Sequence, residues 1–285
     1  METKIIANKT VALLHPGEMG AAIGAGLIER GHRVVWASAG RGASTRKRAR
    51  DAGLEDVEAL ARAAQAADIV FSVCPPHAAL EVARAVAGCG FGGVYVDANA
   101  VSAQTTREVG RVVEAAGASY VDAGIIGPPP IAGASVRLYL CGSRAGEIAP
   151  LFKGCTMQAI ALEGPVGAAS ALKVCYAAWN KGATALLAGI RALAAQEGVD
   201  AALLAEWKIS LPEIPKRSEV VTVSARKAWR WIAEMDEIAA SFEAVGLPAG
   251  FHRAAADIYR RLESFKDAAK APTLDEVTAA LSRKA

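Results

Sequence analysis

The 285-residue sequence has little net charge, and this excludes one class of function. Its 32 basic and 29 acidic residues leave a formal net charge of +3, so the electrostatic footprint of a nucleic-acid-binding protein is missing. Charged residues make up only 21% of the chain and hydrophobic residues 53%, which is typical of a chain that forms a core and not of a disordered one. The length fits one large domain or two ordinary ones.

Three further features are missing: an uninterrupted hydrophobic segment, a C-x-x-C pair and a secretory leader. The longest apolar stretch, residues 164–195, contains Lys173, Asn180 and Lys181, whereas a membrane span carries few or no charges. The cysteine count of five is odd, and together with the missing pair and leader it indicates reduced thiols in a cytoplasmic protein. The sequence therefore predicts no nucleic-acid, membrane or metal partner.

The segment that is most informative about function, residues 10–26, lacks one glycine of a dinucleotide-binding motif. A strand-like apolar run leads through a turn into an Ala- and Gly-rich helix, and backbone N–H groups at such a helix start can bind a pyrophosphate. The full motif is G-x-G-x-x-G, but His15 stands where its first glycine would make the tight turn. The alternative is an ordinary strand–helix turn without a ligand. The predicted cofactor-binding residues are Pro16, Gly17, Glu18, Met19 and Gly20.

Residues 31–49 contain no carboxylate, although NAD-specific proteins place an Asp or Glu after the second strand to bind the ribose 2′-hydroxyl. Hydroxyls and cations occur there instead, and guanidinium groups suit the extra negative charge of a 2′-phosphate. The sequence therefore predicts NADP(H) as the cofactor. Cations that cannot reach the phosphate would form a solvated helix face. The cofactor-binding residues predicted here are Ser38, Arg41 and Ser44, of which Arg41 and Ser44 would contact the phosphate.

Strand-like runs alternate with helix-like segments up to residue 162, and only helix-like segments follow. This pattern predicts an α/β fold: a Rossmann-type doubly wound sheet in residues 1–162, joined by a long helix to an all-α domain in residues 163–285. Residues 51–67 are predicted to form a helical connection. Loops after parallel strands face the ligand, and they add the cofactor candidates Cys74, Pro75, Pro76 and Asn99. Ser102 is a substrate candidate that fits a helix N-cap equally well.

A polar stripe marks the long helix that begins near residue 164. Ser170, Lys173, Asn180 and Thr184 share one face by their i, i+3/i+4 spacing, with Tyr176 at its edge. The helix is apolar nearly all round, so we expect it to be buried. A buried ammonium needs a partner or a shifted pKa, which makes Lys173 a candidate proton donor and acceptor. The alternative is a lysine that extends to the surface or joins a structural ion pair.

These segments occur in an order that resembles the β-hydroxyacid dehydrogenase and 6-phosphogluconate dehydrogenase superfamily. Within it the chain is most similar to bacterial NAD(P)-dependent oxidoreductases whose helical C-terminal domain was long of unknown function. The resemblance covers nearly the whole chain and rests on the segments 14–20, 73–76, 96–102, 120–127 and 164–173. It implies that Lys173 is the general acid/base and that the protein forms a homodimer through the long helix and the C-terminal domain.

Two departures from that family affect the expected substrate. Where the family often has Asn, four residues after the lysine, this chain has Ala177, so Tyr176 or Asn180 would replace it in catalysis. The family's substrate-binding Ser-Gly-Gly is Ile126-Gly127-Pro128 here, which removes the hydroxyl that would hold a small carboxylate. Ile126 and Gly127 remain the predicted substrate-binding residues of this loop.

The predicted function is that of an NADP-dependent oxidoreductase, which transfers a hydride between nicotinamide and a small organic hydroxy or carbonyl compound. One more substrate candidate is His252, at a predicted helix start, with a solvent-facing or capping histidine as the alternative. Imine reductases share the fold but usually replace the lysine, so an imine or iminium reductase is the first alternative function. A non-catalytic NADPH-binding protein is the second.

Overall fold

The computed structural model describes residues 8–129 and 135–282. The chain divides into two compact units, Met1–Lys173 and Val174–Ala285. The first unit contains the sheet, and the described residues of the second form helices and their connections. The division falls later than residue 162, where strand–helix alternation ends, because the first turns of the next helix pack on the sheet.

Within the described residues, eight strands form one sheet in the order β3-β2-β1-β4-β5-β6-β7-β8. Neighbouring strands are parallel except for β6 and β7, which are antiparallel. The strand order reverses direction at β1, which confirms the predicted doubly wound, Rossmann-type sheet. The strands are β1 (Thr10–Leu14), β2 (Arg33–Trp36), β3 (Glu55–Asp56), β4 (Ile69–Ser72), β5 (Val94–Asp97), β6 (Ser119–Ile126), β7 (Val136–Cys141) and β8 (Met157–Ala161).

Helices cover both faces of this sheet. Side chains alternate between the faces along β1: Val11 and Leu13 pack in one hydrophobic core, and Ala12 and Leu14 pack in the other. Burial on both faces explains why the central parallel strands are nearly continuous hydrophobic runs. The helices of the first unit are α1 (Glu18–Glu29), α2 (Ala43–Asp51), α3 (Leu60–Ala66), α4 (Ala79–Gly88), α5 (Ala103–Ala115) and α6 (Ala145–Ile148).

The carboxyl ends of β1, β4 and β5 lie in one row across the sheet with Asp122 of β6. Leu14 of β1 pairs with Ser72, Ser72 pairs with Asp97, and Asp97 pairs with Asp122. Adjacent strands are about 4.8 Å apart, so the row spans roughly 14 Å. The loops that follow β1, β4 and β5 therefore share one edge, beyond which β6 continues to Ile126. Ligands of open α/β sheets bind at that edge.

The second unit is built on the long helix α7 (Ala168–Gln196), which begins in the first unit. One side of α7 packs in a core with Met235, Ile238 and Tyr259. The opposite side carries apolar side chains that are exposed in the single chain, so the fold of one chain buries only one side of this helix. No helix among the described residues is both long and apolar enough to cross a bilayer. The other helices are α8 (Asp200–Ser210), α9 (Ile214–Ala225), α10 (Trp231–Glu243), α11 (Gly250–Arg261) and α12 (Leu274–Ser282).

Candidate active site

The turn after β1 brings the start of α1 to the carboxyl edge of the sheet. A Cβ on Gly20 would lie 2.8 Å from the carbonyl oxygen of His15, so only glycine allows the helix to approach the turn this closely. Gly17 is the N-cap residue, and no described side chain caps the helix there. A Cβ on Gly17 would meet no described atom within 4 Å, so the space in front of α1 is open. The exposed helix start can therefore hold a phosphate group.

His15 makes the tight turn that the missing glycine would otherwise make. Its φ of 64° lies in the left-handed region, which costs a non-glycine residue on the order of 1 kcal/mol. Burial, and then the positive charge of Arg41, lower the pKa of His15 to about 4, so its imidazole is neutral at neutral pH. Its Nδ1 atom is buried and has no hydrogen-bond partner among the described residues. The sequence analysis treated this residue only as an absent glycine.

Two arginines of α2 hold the loop that follows β2. The Nε atom of Arg46 donates to the carbonyl oxygen of Arg41 at 3.0 Å, and its Nη2 donates to that of Ser38 at 3.1 Å. The Nε atom of Arg48 donates to the carbonyl oxygen of Pro16 at 3.3 Å, which ties α2 to the first turn. Arg46 therefore serves the loop itself and Arg48 the first turn, whereas the Nε atom of Arg41 is buried without a partner within the described chain.

Ser38 and Ser44, both predicted to bind the cofactor, differ in their surroundings. Ser38 is buried, and its side chain hydrogen-bonds to Asp56 of β3. Burial opposes ionisation of Asp56, but the bonds from Ser38 and Glu58 and the charge of Arg46 lower its pKa overall. Ser44 lies exposed in the first turn of α2. The structure thus leaves the Ser44 hydroxyl, more than that of Ser38, accessible to a ligand.

A cavity of about 320 Å³ opens between the ends of β1 and β2 and the starts of α3 and α4. Its polar lining comes from His15, Arg41 and Glu81. Apolar side chains complete the walls, among them Leu60 and Val82. An apolar cavity with a few convergent polar groups fits an adenosine moiety. His15 and Arg41, whose Nδ1 and Nε atoms are buried without a partner in the described chain, both line this cavity.

The loops after β4 and β5 are joined to each other by Asn99. Its Oδ1 accepts a hydrogen bond from the backbone N–H of Cys74 at 2.6 Å, and its Nδ2 donates to Ser72 Oγ at 3.0 Å. The cofactor candidate Asn99 therefore fixes the segment Cys74-Pro75-Pro76 at the edge. Burial raises the pKa of Cys74 to about 11, so it remains a thiol. Ser102 is the N-cap of α5 and accepts from the backbone N–H of Thr105 at 3.2 Å.

Asp122 anchors the start of α7 to the sheet. Its carboxylate accepts hydrogen bonds from the backbone N–H groups of Ala169 and Ser170, at 2.9 and 3.1 Å, and from Ser170 Oγ at 2.6 Å. Thr106 of α5 donates to the same Ser170 hydroxyl at 2.8 Å. A negative group at a helix N-terminus is favourable because it pairs with unsatisfied N–H groups and the helix dipole. Sequence reasoning missed this role, although Asp122 stands at the end of a predicted strand.

Lys173 lies one turn further along α7, against β6. A Cβ on Gly124 would be 2.5 Å from the carbonyl oxygen of Ala169 and 3.3 Å from Lys173 Cβ, so glycine permits this contact. Gly124 follows Asp122 by two residues and hence lies just beyond the row of strand ends. The half-buried Lys173 is thus at the same sheet edge as the turn after β1.

The remaining candidates lie on β6, directly after it, or in the second unit. Ile126 is buried in β6, and Gly127 follows it with a φ of 125°. In the second unit, Tyr176 is exposed, and Asn180 donates to its carbonyl oxygen at 3.0 Å. His252 is buried there against the rings of Phe242 and Phe251, and burial lowers its pKa.

Asp97 is a buried carboxyl group beside Asp122. It accepts hydrogen bonds from the backbone N–H of Asn99 at 3.1 Å and from Tyr120 Oη at 3.0 Å. Burial, reinforced by the charge of Asp122, nevertheless raises the pKa of Asp97 to about 6. Neutral pH therefore forces an unfavourable charge into the core of the sheet.

The ionised Asp97 lowers the stability of the folded protein at neutral pH, and replacing it with Asn is expected to abolish this effect. The folded-state pKa of about 6 exceeds the unfolded value, so the stability that Asp97 contributes is full at low pH and is lost as the pH rises through 6. The loss is on the order of 3 kcal/mol for a shift of about two units. Urea unfolding of both proteins at about pH 4.5 and about pH 7.5 measures it. The histidines titrate in the wild type and in the variant alike, so their effect cancels when the two proteins are compared. An identical pH dependence of the free energy of unfolding in the two proteins would contradict the prediction.

Two segments of the chain match known protein families. Residues 10–156 match the family described as the NAD binding domain of 6-phosphogluconate dehydrogenase, and residues 194–262 match a domain of unknown function (DUF1932). No curated protein sequence matches the chain.

Three solved structures illustrate its similarities. One is a conserved protein of unknown function with structural similarity to 3-hydroxyacid dehydrogenases; identity is 26%, TM-score 0.73, and coverage 90% of this chain and 97% of that one. Mycobacterium tuberculosis 3-hydroxyisobutyrate dehydrogenase shows 21% identity, TM-score 0.73, and coverage of 97% and 100%. Streptomyces aurantiacus imine reductase shows 19% identity, TM-score 0.55, and coverage of 96% and 100%. The last two similarities, at 21% and 19% identity, show only that the fold is shared.

The parallel sheet, the open start of α1 and the cavity beside it define a Rossmann-type dinucleotide-binding protein. The family match spans more than half of the 285 residues. The chain belongs to the family that carries the NAD binding domain of 6-phosphogluconate dehydrogenase.

Proposed function

We propose that the protein is an NADP(H)-dependent oxidoreductase that acts on a small organic hydroxy or carbonyl compound, with Lys173 as its general acid/base. The observation that carries this proposal is the contact of Lys173 with Gly124 at the carboxyl edge of the sheet. Membership of the 6-phosphogluconate dehydrogenase-type NAD-binding family supports it, because that edge is where such sheets bind dinucleotides.

The residues of the first unit suit the successive parts of NADP(H). The open start of α1 at Gly17 would hold the diphosphate, and the cavity beside His15 would take the adenosine. Arg41 and Ser44 would bind the 2′-phosphate, because a guanidinium and a hydroxyl both donate to its oxygens. When bound, the cofactor supplies the hydride chemistry.

Lys173 would move the proton that accompanies this chemistry. In oxidation its amine would accept the proton of the substrate hydroxyl, and in reduction its ammonium would protonate the oxygen that develops negative charge. Asp122 and Gly124 support this role because they fix the backbone of α7 one turn before the lysine. A fixed backbone limits the positions that the Nζ atom can reach.

A second candidate function is an imine or iminium reductase. The observation that favours it is Ile126, an apolar residue where the resembled family has a substrate-binding serine. Without that hydroxyl, the loop lacks a group that would hold a carboxylate, which suits a neutral or cationic substrate better. With a neutral imine, the ammonium of Lys173 would donate the proton that the imine nitrogen takes up as its carbon receives the hydride, whereas an iminium ion already carries that proton.

Absorbance of NADPH, followed with a panel of 2- and 3-keto acids, aldehydes, ketones and cyclic imines, tests the proposal. We expect consumption of NADPH with at least one carbonyl compound and the reverse reaction with the matching alcohol. Turnover of imines alone would favour the second candidate. Tight NADPH binding, measured by fluorescence titration, without turnover of any substrate would contradict both and indicate a binding protein.

We also propose that the protein is a homodimer that uses α7. Tyr176, Trp179, Leu186 and Leu193 are all exposed in the single chain and recur at spacings of three and seven residues, which puts them on one helix face. An apolar cavity of about 310 Å³ lies beside them, between α7 and α11. A contiguous apolar surface of this kind marks a protein interface.

Replacing Leu186 with Asp is expected to convert the dimer to a monomer, because two like charges would be buried in the apolar interface. Ile209, which is 81% exposed on α8, provides the matched control: its replacement by Asp should leave the mass unchanged. Light scattering coupled to size-exclusion chromatography measures both. A wild-type monomer, or a dimer that persists in the Leu186 variant, would contradict the proposed interface.

A cytoplasmic location is also proposed. All five cysteines are free, among them the buried Cys74 and Cys141. Free thiols are typical of proteins kept in a reducing compartment.

A further inference from the structure

His15 adopts a backbone conformation that glycine adopts without strain. Its φ is 64°, at the position where the dinucleotide-binding motif has its first glycine. An unfavourable conformation kept by a residue with a large side chain points to a role for that side chain. The turn itself does not need an imidazole, because the backbone conformation alone makes it.

His15 belongs to the lining of the cavity between β1, β2, α3 and α4. His15 lines that cavity together with Arg41, and each has one buried nitrogen without a hydrogen-bond partner in the described part of the chain: Nδ1 of His15 and Nε of Arg41. Buried polar atoms are nearly always hydrogen-bonded in native proteins. The two nitrogens without partners belong to residues that line the same cavity. This indicates that a ligand in the cavity supplies their hydrogen-bond partners.

The charges around the cavity indicate which part of a ligand these nitrogens contact. Arg41 is positively charged, and the neighbouring Arg46 and Arg48 are engaged by backbone carbonyl oxygens. The starts of α1 and α2 add positive helix ends near the turn and the loop. Glu81, the one carboxylate among the cavity-lining residues, is exposed. This combination suits an anionic group on the adenosine ribose.

We propose that His15 and Arg41 form one recognition site for 2′-phosphorylated adenosine, in which His15 hydrogen-bonds to the 2′-phosphate and determines specificity for it. This proposal rests on the proposed NADP(H) cofactor. It adds His15 to the residues that would select NADP(H) over NAD(H). A neutral imidazole donates one hydrogen bond, and a guanidinium beside it donates several, so the two can share the oxygens of one phosphate. Burial and the Arg41 charge keep the imidazole neutral, as its lowered pKa indicates.

Calorimetric titration with adenosine 2′,5′-bisphosphate and with 5′-AMP tests this site without any turnover. The variant His15→Gly removes the ring and relieves the strain at φ 64°, so it should be at least as stable as the wild type. We expect the bisphosphate to bind about tenfold or more weakly to this variant and 5′-AMP about equally, since a hydrogen bond to a charged group is lost. The variant His15→Asn tolerates the same backbone, has a shorter side chain and should also lose selectivity.

The outcomes separate this inference from the proposed function. Unchanged bisphosphate affinity in both variants, or equal loss for bisphosphate and 5′-AMP, would overturn the role of His15 while leaving NADP(H) as the cofactor. Failure of the wild-type protein to bind the bisphosphate or NADPH would overturn the proposed cofactor itself. A selective loss in either folded variant supports the site.

Discussion

Replacing Lys173 with Ala is expected to abolish turnover while NADPH affinity stays nearly unchanged. The side chain lies at the sheet edge, against Gly124, and it supplies the proposed proton transfer rather than a contact to the cofactor phosphates. General acid–base groups contribute about 10²- to 10⁴-fold to rate, so the loss should reach this range. Steady-state kinetics measures the rate, and fluorescence titration measures NADPH binding.

Two further variants make this result specific. Lys173→Arg keeps a positive charge but gives a group that does not release its proton, so it should be as inactive as the alanine variant. Lys208, an exposed lysine at the end of α8, provides the matched control, and Lys208→Ala should retain full activity. Turnover at the wild-type rate in Lys173→Ala would refute the proposed role.

Replacing Arg41 with Ala is expected to weaken NADPH binding about 100-fold and NADH binding little. Arg41 lines the adenosine cavity with a buried nitrogen that has no partner in the described chain. Each hydrogen bond to a charged group is worth about 1.5–3 kcal/mol, so the loss of one or two bonds to a 2′-phosphate corresponds to about two orders of magnitude. NADH lacks that phosphate and should be insensitive.

The matched control for Arg41 is Lys47 of α2, which is exposed and pairs with Asp51 at 2.6 Å. Lys47→Ala removes one positive charge from the same helix region without changing the cavity, so both cofactors should bind it as they bind the wild type. Equal losses of NADPH and NADH affinity in Arg41→Ala would show that the arginine supports the fold of the loop. Preference for NADH in the wild type would contradict the NADP(H) assignment directly.

The architecture of the sheet was largely predictable from the sequence. The strands of the parallel sheet are short apolar runs bounded by polar or glycine-containing turns, and burial on both faces produces that pattern. β3 was missed because it has only two residues, Glu55 and Asp56, which are both exposed and carry no hydrophobic signal. The predicted helical connection over 51–67 is therefore interrupted by a strand at the edge of the sheet.

For the candidate site, the sequence indicated which strands and loops carry its residues but not which contacts those residues make. The sequence analysis identified Lys173, Asn99 and Arg41, and all three lie on elements that meet at or beside the carboxyl edge. The capping role of Asp122 was not predicted, because its partners Ala169 and Ser170 are more than 40 residues away in the chain. Side-chain contacts over such separations depend on how elements pack, which local patterns do not encode.

The sequence by itself determined the fold class, the position of the dinucleotide-binding turn and the place of the lysine one turn into a long helix. These follow from periodicity and local turn chemistry, which act between residues that are close in the chain. Only the tertiary structure decided that His15 makes the turn and lines one cavity with Arg41, that Asp122 caps α7, and that one side of α7 is exposed in the single chain. Those features arise from packing between segments that are distant in the sequence. Polar groups that become buried there need hydrogen-bond partners, and no single stretch of sequence specifies which groups these are.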